Sequence, residues 1–235
     1  LLMRTTERLV GVDFVTGKRV WEYPWFKTEQ DVEKTELEID GMRNEDSGQS
    51  LLKQRVWNDL LYGRISSDGV RVYMLGDLAQ IEVATFSPLM GMQGTRPADT
   101  GKNSLIALDL ATEGKLVWQI GGDVPSDESL ADAFFLGPPL PIDNSLYVMA
   151  EIAGDIILLC LDASTGVEIW RQHLLAFESG GIESDPIRRI AGATISHQDG
   201  VLVCVTGAGA VVAIDLHDRS LLWGAAIDRN DTIQQ

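Results

Sequence analysis

Basic residues, cysteines and long apolar runs are all scarce in this sequence, and each scarcity excludes something. Against 35 Asp and Glu stand only 19 Lys and Arg in 235 residues, a formal charge of −16. A field of that sign repels phosphate, so nucleic acid and anionic membrane surfaces are not expected partners. No run of about 18 apolar residues occurs, so no segment reads as a membrane-spanning helix. Leu1-Leu2-Met3-Arg4-Thr5-Thr6 lacks the charged-then-apolar order of a signal peptide. The 2 cysteines, Cys160 and Cys204, lie inside apolar runs. They read as buried free thiols, with a disulfide between them as the alternative, and they do not fix the compartment.

What the sequence does have is a repeat. An apolar run, an Asp, a tight turn and a Trp occur four times, from Asp13 to Trp21, Asp109 to Trp118, Asp162 to Trp170 and Asp215 to Trp223. Asp109, Asp162 and Asp215 follow at equal steps of 53 residues. Each part has a mechanical reason. The short uncharged run suits a strand covered on both faces. The Asp carboxylate accepts backbone N–H groups of the following turn. Gly17, Gly114 and Gly166 supply the positive φ of a tight hairpin. The Trp offers a large ring to the next sheet. In the fourth copy Asp218-Arg219 replaces Thr-Gly, which predicts a different turn.

Upstream of three of these motifs, Ile65–Met74, Leu140–Met149 and Ile195–Cys204 each read as strand, turn, strand. A unit is therefore four antiparallel strands, and such units in series predict an all-β fold of propeller blades. Residues 1–21 read as a half blade, the last two strands of one. A charged insertion over 22–55 follows, then blades over 56–120, 134–176 and 190–228, the first with a long internal loop over 76–104. About three and a half blades are expected in this single partial propeller, as a fragment of a larger ring.

The Asp-x-x-Thr-Gly-x-x-x-Trp pattern of Asp13 to Trp21 and Asp162 to Trp170 resembles the repeat of pyrroloquinoline-quinone-like propellers. That group includes quinoprotein alcohol dehydrogenases and the lipoprotein propeller of the outer-membrane β-barrel assembly machinery. Gly137-Pro138-Pro139-Leu140-Pro141 and the run Gly207 to Asp215 look most like large bacterial envelope propellers of planctomycete type. The resemblance implies a bacterial, extracytoplasmic location, in periplasm or cell envelope. It names a fold and leaves function open.

Quinoprotein dehydrogenases of this fold stack the quinone on a ring of two adjacent cysteines and bind Ca²⁺ beside a catalytic Asp. No Cys-Cys pair occurs here. Asp13, Asp109, Asp162 and Asp215 recur once per blade, so they read as turn-builders, since a catalytic residue is needed once. Gly207-Ala208-Gly209 leads into a strand and lacks the third Gly of a dinucleotide loop. His173, His197 and His217 are isolated, and the acids from Asp123 to Asp132 lack the spacing of a calcium loop. No catalytic, cofactor-binding or metal-binding residue is assigned, and no cofactor is expected. The reading is a non-catalytic scaffold that binds a protein or polymer. Its alternatives are part of a quinoprotein-like oxidoreductase, with quinone and Ca²⁺ sited outside this fragment, or the sensor domain of a larger receptor.

Strand order places the partner surface. In an antiparallel four-stranded blade, the connection between strands two and three leaves from the same end as the connection to the next blade. The long segments 22–55, 76–104, 121–133 and 177–189 all belong to that end. Segment 22–55, with Glu29, Asp31, Glu33, Glu36, Glu38 and Asp40, reads as a disordered or helical flap or as a solvated loop. Segment 76–104 carries Phe86, Pro88, Leu89, Met90 and Met92, which predict contact with the propeller or with a partner.

Overall fold

A computed structural model describes residues 1–5, 8–23, 61, 63–76, 102–122, 128–176 and 180–227. These form four antiparallel sheets in chain order. The first joins β1 (Leu2–Arg4), β2 (Leu9–Val12) and β3 (Arg19–Tyr23). The second joins β4 (Ile65–Ser67), β5 (Arg71–Gly76), β6 (Ser104–Asp109) and β7 (Lys115–Gly121). The third runs through β8 (Phe134–Phe135), β9 (Leu140–Ile142), β10 (Ser145–Ile152), β11 (Asp155–Asp162) and β12 (Glu168–Ala176). The fourth joins β13 (Thr194–Gln198), β14 (Val201–Val205), β15 (Ala210–Asp215) and β16 (Ser220–Ala226). The fold is all-β, built of propeller blades.

Two strand counts differ from the sequence reading. The first sheet holds three strands where two were expected, because Leu2–Arg4 pairs along β2. A three-residue strand shows no alternation that a pattern can register. In the third sheet the first strand is split into β8 and β9, which both pair with β10. Pro138 and Pro139 lie between them, and proline has no N–H to donate to a ladder. Most of segments 22–55 and 76–104 lies outside the described residues, as do residues 123–127 of segment 121–133 and 177–179 of segment 177–189.

Trp21, Trp118 and Trp170 join neighbouring sheets. Each tryptophan of the repeat faces a small residue on the neighbouring strand: Trp21 opposes Gly11, Trp118 opposes Ala107, Trp170 opposes Cys160 and Trp223 opposes Ala213. The small partner lets the ring lie flat on its own sheet while its edge reaches the next. Trp21 packs on Gly114, in the turn of the second sheet, so closely that a Cβ there would sit 2.4 Å from the ring. Trp118 covers Gly166, in the turn of the third, and its Nε1 donates to the Ala163 carbonyl at 3.1 Å. Both glycines have positive φ, 77° and 72°, so the turn and the close approach demand glycine together. Trp170 meets Arg219 instead, whose guanidinium carbon lies 5.5 Å from the ring centroid. Arg219 takes a left-handed conformation, at φ 57°, in the turn where the other three copies carry glycine.

The core follows these contacts. One cluster joins Leu9 and Trp21 to Val72, Met74, Ile106 and Leu108, tying the first sheet to the second. A larger one runs from Tyr73 and Trp118 through β10 and β11 to Leu202, Cys204, Val212 and Ile214.

Candidate functional site

The repeated aspartates sit where β2–β3, β6–β7, β11–β12 and β15–β16 turn, at the end of the sheets opposite the long connections. Their carboxylates are occupied by the turns. Asp13 Oδ1 accepts from the N–H groups of Val15 and Thr16, at 3.0 and 2.7 Å, and from the Thr16 hydroxyl at 2.8 Å. Asp162 Oδ1 accepts in the same way from Ser164 and Thr165, and Asp215 Oδ1 from His217 N–H at 2.7 Å. The Thr16 N–H holds the Asp13 carboxyl below its ordinary range, and the Ser164 hydroxyl does so for Asp162. One carboxylate per sheet results, and the fold does not gather them. His173, His197 and His217 fall on β12, on β13 and in the β15–β16 turn, and Gly207-Ala208-Gly209 forms the β14–β15 hairpin. Of the acids from Asp123 to Asp132, those in 123–127 lie outside the described residues.

The other end is built differently. All five buried polar or charged residues among those described, Asn103, Ser104, Glu151, Arg188 and Thr206, belong to it. Asn103 joins the second sheet to the third: its Nδ2 donates to the Phe135 carbonyl at 3.0 Å and its Oδ1 accepts from Phe135 N–H at 2.7 Å. Glu151, near the end of β10, accepts from Ile182 N–H at 2.7 Å and pairs with the Arg188 guanidinium. Arg188 lies on the short helix α1 (Pro186–Ala191), which Asp185 caps by accepting from Arg188 N–H at 3.0 Å. Arg189 places its guanidinium 5.1 Å from the Phe134 centroid. Ala193 N–H donates to Leu136 O at 2.8 Å, and Gly192 packs on Leu61. Thr206 donates to the Ala210 carbonyl at 2.9 Å. These contacts fix the connections against the sheets, and a rigidly mounted loop set is a common place for binding.

An apolar cleft of about 290 Å³ reaches the same end. His173 and Leu175 of β12 form one wall, and Ala210 and Val212 of β15 with Gly224 and Ala226 of β16 form the other. It exists because β16 places Gly and Ala where larger side chains would close the gap. His173 Nε2 lies 3.1 Å from an Asp155 carboxylate oxygen beside it. The sequence reading missed this cleft. Its only sequence signal is the small-residue stretch Gly224-Ala225-Ala226 after a Trp.

A protein-family model described as outer membrane protein assembly factor BamB matches residues 54–233. The chain belongs to this family. BamB from Moraxella catarrhalis is a similar solved structure, over 96% of this chain and 48% of that one, at 17% identity and a TM-score of 0.51. That likeness is one of fold, and the chain spans about half the length of the Moraxella protein. The quinohemoprotein alcohol dehydrogenase from Comamonas testosteroni is similar over 93% of this chain and 32% of its own, at 15% identity and a TM-score of 0.48. No curated protein matches the chain.

Cys160 and Cys204 stand apart on β11 and β14, buried and unpaired with each other. Among the described residues no three His, Cys, Asp or Glu side chains gather to hold a metal. No helix among them is long and apolar enough to cross a membrane. Burial pushes the Cys204 thiol up to about 12, and the Cys160 thiol up as well. Both thiols are therefore expected to resist a thiol-reactive dye at pH 8 and to label only on unfolding. Stopped-flow labelling with and without urea reads this directly, and fast labelling of the native chain would place a cysteine at the surface.

Proposed function

We propose that this chain is a non-catalytic propeller scaffold of the bacterial cell envelope, binding a protein or polymer partner through the end that carries its long connections. The observation that carries this reading is the placement of every described buried polar or charged residue at that end, where each Asn, Glu, Arg or Thr secures a connection. Membership of a family described as an outer membrane protein assembly factor supports the protein partner and the extracytoplasmic location. The turn-bound aspartates support a structural role for the one carboxylate that every blade repeats.

The apolar cleft supplies a specific contact on this surface, suited to an aliphatic or aromatic side chain from the partner. The competing reading, a quinone-dependent oxidoreductase, is tested by titrating the protein with pyrroloquinoline quinone and Ca²⁺. No saturable quenching of tryptophan fluorescence and no dye-linked oxidation of alcohols or sugars are expected. Saturable binding accompanied by turnover would replace the scaffold with an enzyme.

A further inference from the structure

The four sheets share an irregularity that the tryptophan pairs do not explain. On the last strand of each sheet, one extra residue stands immediately before the Trp. Gly11 opposes Trp21 and Val12 opposes Arg19, so Val20 stands opposite neither. By the same shift Val117 is extra on β7, Ile169 on β12 and Leu222 on β16. β12 carries a second extra residue, Leu174, between His173 and Leu175. These are β-bulges, and among the described pairings every register shift falls on one of these last strands. The inner pairings run unbroken, β10 with β11 over Ser145–Ile152 and β5 with β6 over Arg71–Gly76.

Packing does not account for the extra residues, since Val20, Val117, Ile169 and Leu222 are between 41% and 52% exposed. Nor does the placing of the Trp. Without Val117, Leu108 would still oppose Leu116 and Ala107 would still oppose Trp118. What the four have in common is position. Among the described residues β3, β7, β12 and β16 are edges of their sheets, whatever stands against the faces of those sheets. An edge presents unpaired N–H and C=O groups to any extended chain. An added strand must meet those groups at a strict two-residue repeat, and one extra residue puts the two halves of the edge out of phase. The unbroken register left on β7 is Trp118–Gly121 and on β12 Trp170–His173, no more than four residues in either. β12, the longest of the described strands at 9 residues, is the one broken twice.

We propose that the bulge before each Trp is an edge guard, which keeps a second extended chain from joining the blade as a further strand. The guard lies in the backbone, so the side chain of the extra residue is free to be aliphatic and exposed. The inference does not depend on which partner the connections hold.

Deletion of Val117 and, separately, of Ile169 tests it in the full chain. Each deletion removes an exposed apolar residue, so a gain in association comes from the straightened edge and not from added apolar surface. Sedimentation velocity should show association at least tenfold tighter than for the unaltered chain, with an intermolecular β signal in the amide I infrared band. Val117→Ala, which keeps the bulge, should associate as the unaltered chain does. Leu116→Lys added to the Val117 deletion should reverse the gain, because a charged side chain on an edge opposes pairing. Near-ultraviolet circular dichroism follows the fold throughout. Deletions that keep the native spectrum and associate no more than the unaltered chain would overturn the inference, as would a gain indifferent to Leu116→Lys. So would deletions that both unfold the chain, because the extra residue would then serve the packing of the blade itself.

Discussion

Trp118→Ala is expected to lower the free energy of unfolding by about 3–5 kcal/mol, the range for removing a large buried aromatic side chain. Three losses combine. The indole is 8% exposed and fills the space between the second and third sheets, so its removal leaves a cavity there. The Ala163 carbonyl, which accepts from Nε1 at 3.1 Å, loses a partner inside that space. The Tyr73 ring, 6.0 Å away by centroid, loses its aromatic neighbour. Trp118→Phe separates the terms, because it restores most of the volume without the hydrogen bond, and should cost clearly less. Trp170→Ala should also cost less than Trp118→Ala, since its ring is only half-buried. Equilibrium unfolding in urea measures all three. A loss below about 1 kcal/mol for Trp118→Ala would mean that the ring does not couple the two sheets.

Glu151→Ala should be comparably damaging, at about 3–5 kcal/mol, for an electrostatic reason. Glu151 and Arg188 are 3% and 2% exposed, so neither charge can be rehydrated once its partner is gone. The substitution removes the Glu151 carboxylate from the Arg188 guanidinium and takes the acceptor from the Ile182 N–H. Glu151→Gln keeps an acceptor and removes the charge, which places its loss between wild type and Glu151→Ala. Replacing both partners, as Glu151→Leu with Arg188→Met, should recover much of the stability, because burying an ion pair costs about as much desolvation energy as the pairing returns. Native-state hydrogen exchange adds a local readout. Amides around residues 182–192 should exchange faster in Glu151→Ala, since Glu151 is what holds that segment to β10. If the double variant is as unstable as the single one, the damage comes from lost packing and not from an orphaned charge.

Most of the repeat could be read residue by residue. Asp13, Asp109, Asp162 and Asp215 mark a turn because a carboxylate two or three residues before free N–H groups satisfies them locally, with no help from distant chain. Gly114 and Gly166 are legible for the same reason, as positive φ is a local demand. The strands of the second and fourth sheets announce themselves by short apolar runs between turn signals. Leu2–Arg4 does not, being a strand only because β2 lies beside it. The split of β8 from β9 was not read from the sequence, since it depends on both halves finding β10 on either side of Pro138-Pro139.

The candidate surface was half legible. Connection lengths and antiparallel order placed the long segments at one end, and the structure puts the buried Asn103, Glu151, Arg188 and Thr206 there. No spacing links Glu151 to Arg188, 37 residues later, or Asn103 to Phe135, 32 residues later. The apolar cleft is likewise a product of two sheets, since neither the β12 residues nor the glycine and alanines of β16 outline it alone.

The sequence by itself determined the blade: its turns, its strand order and the tryptophan each repeat presents, because these follow from local hydrogen bonding and side-chain alternation. Only the tertiary structure decided what each tryptophan meets. Trp21 and Trp118 find glycine turns, Trp170 finds Arg219 and Trp223 finds solvent, since that outcome depends on which sheet stands next and on what its turn leaves room for.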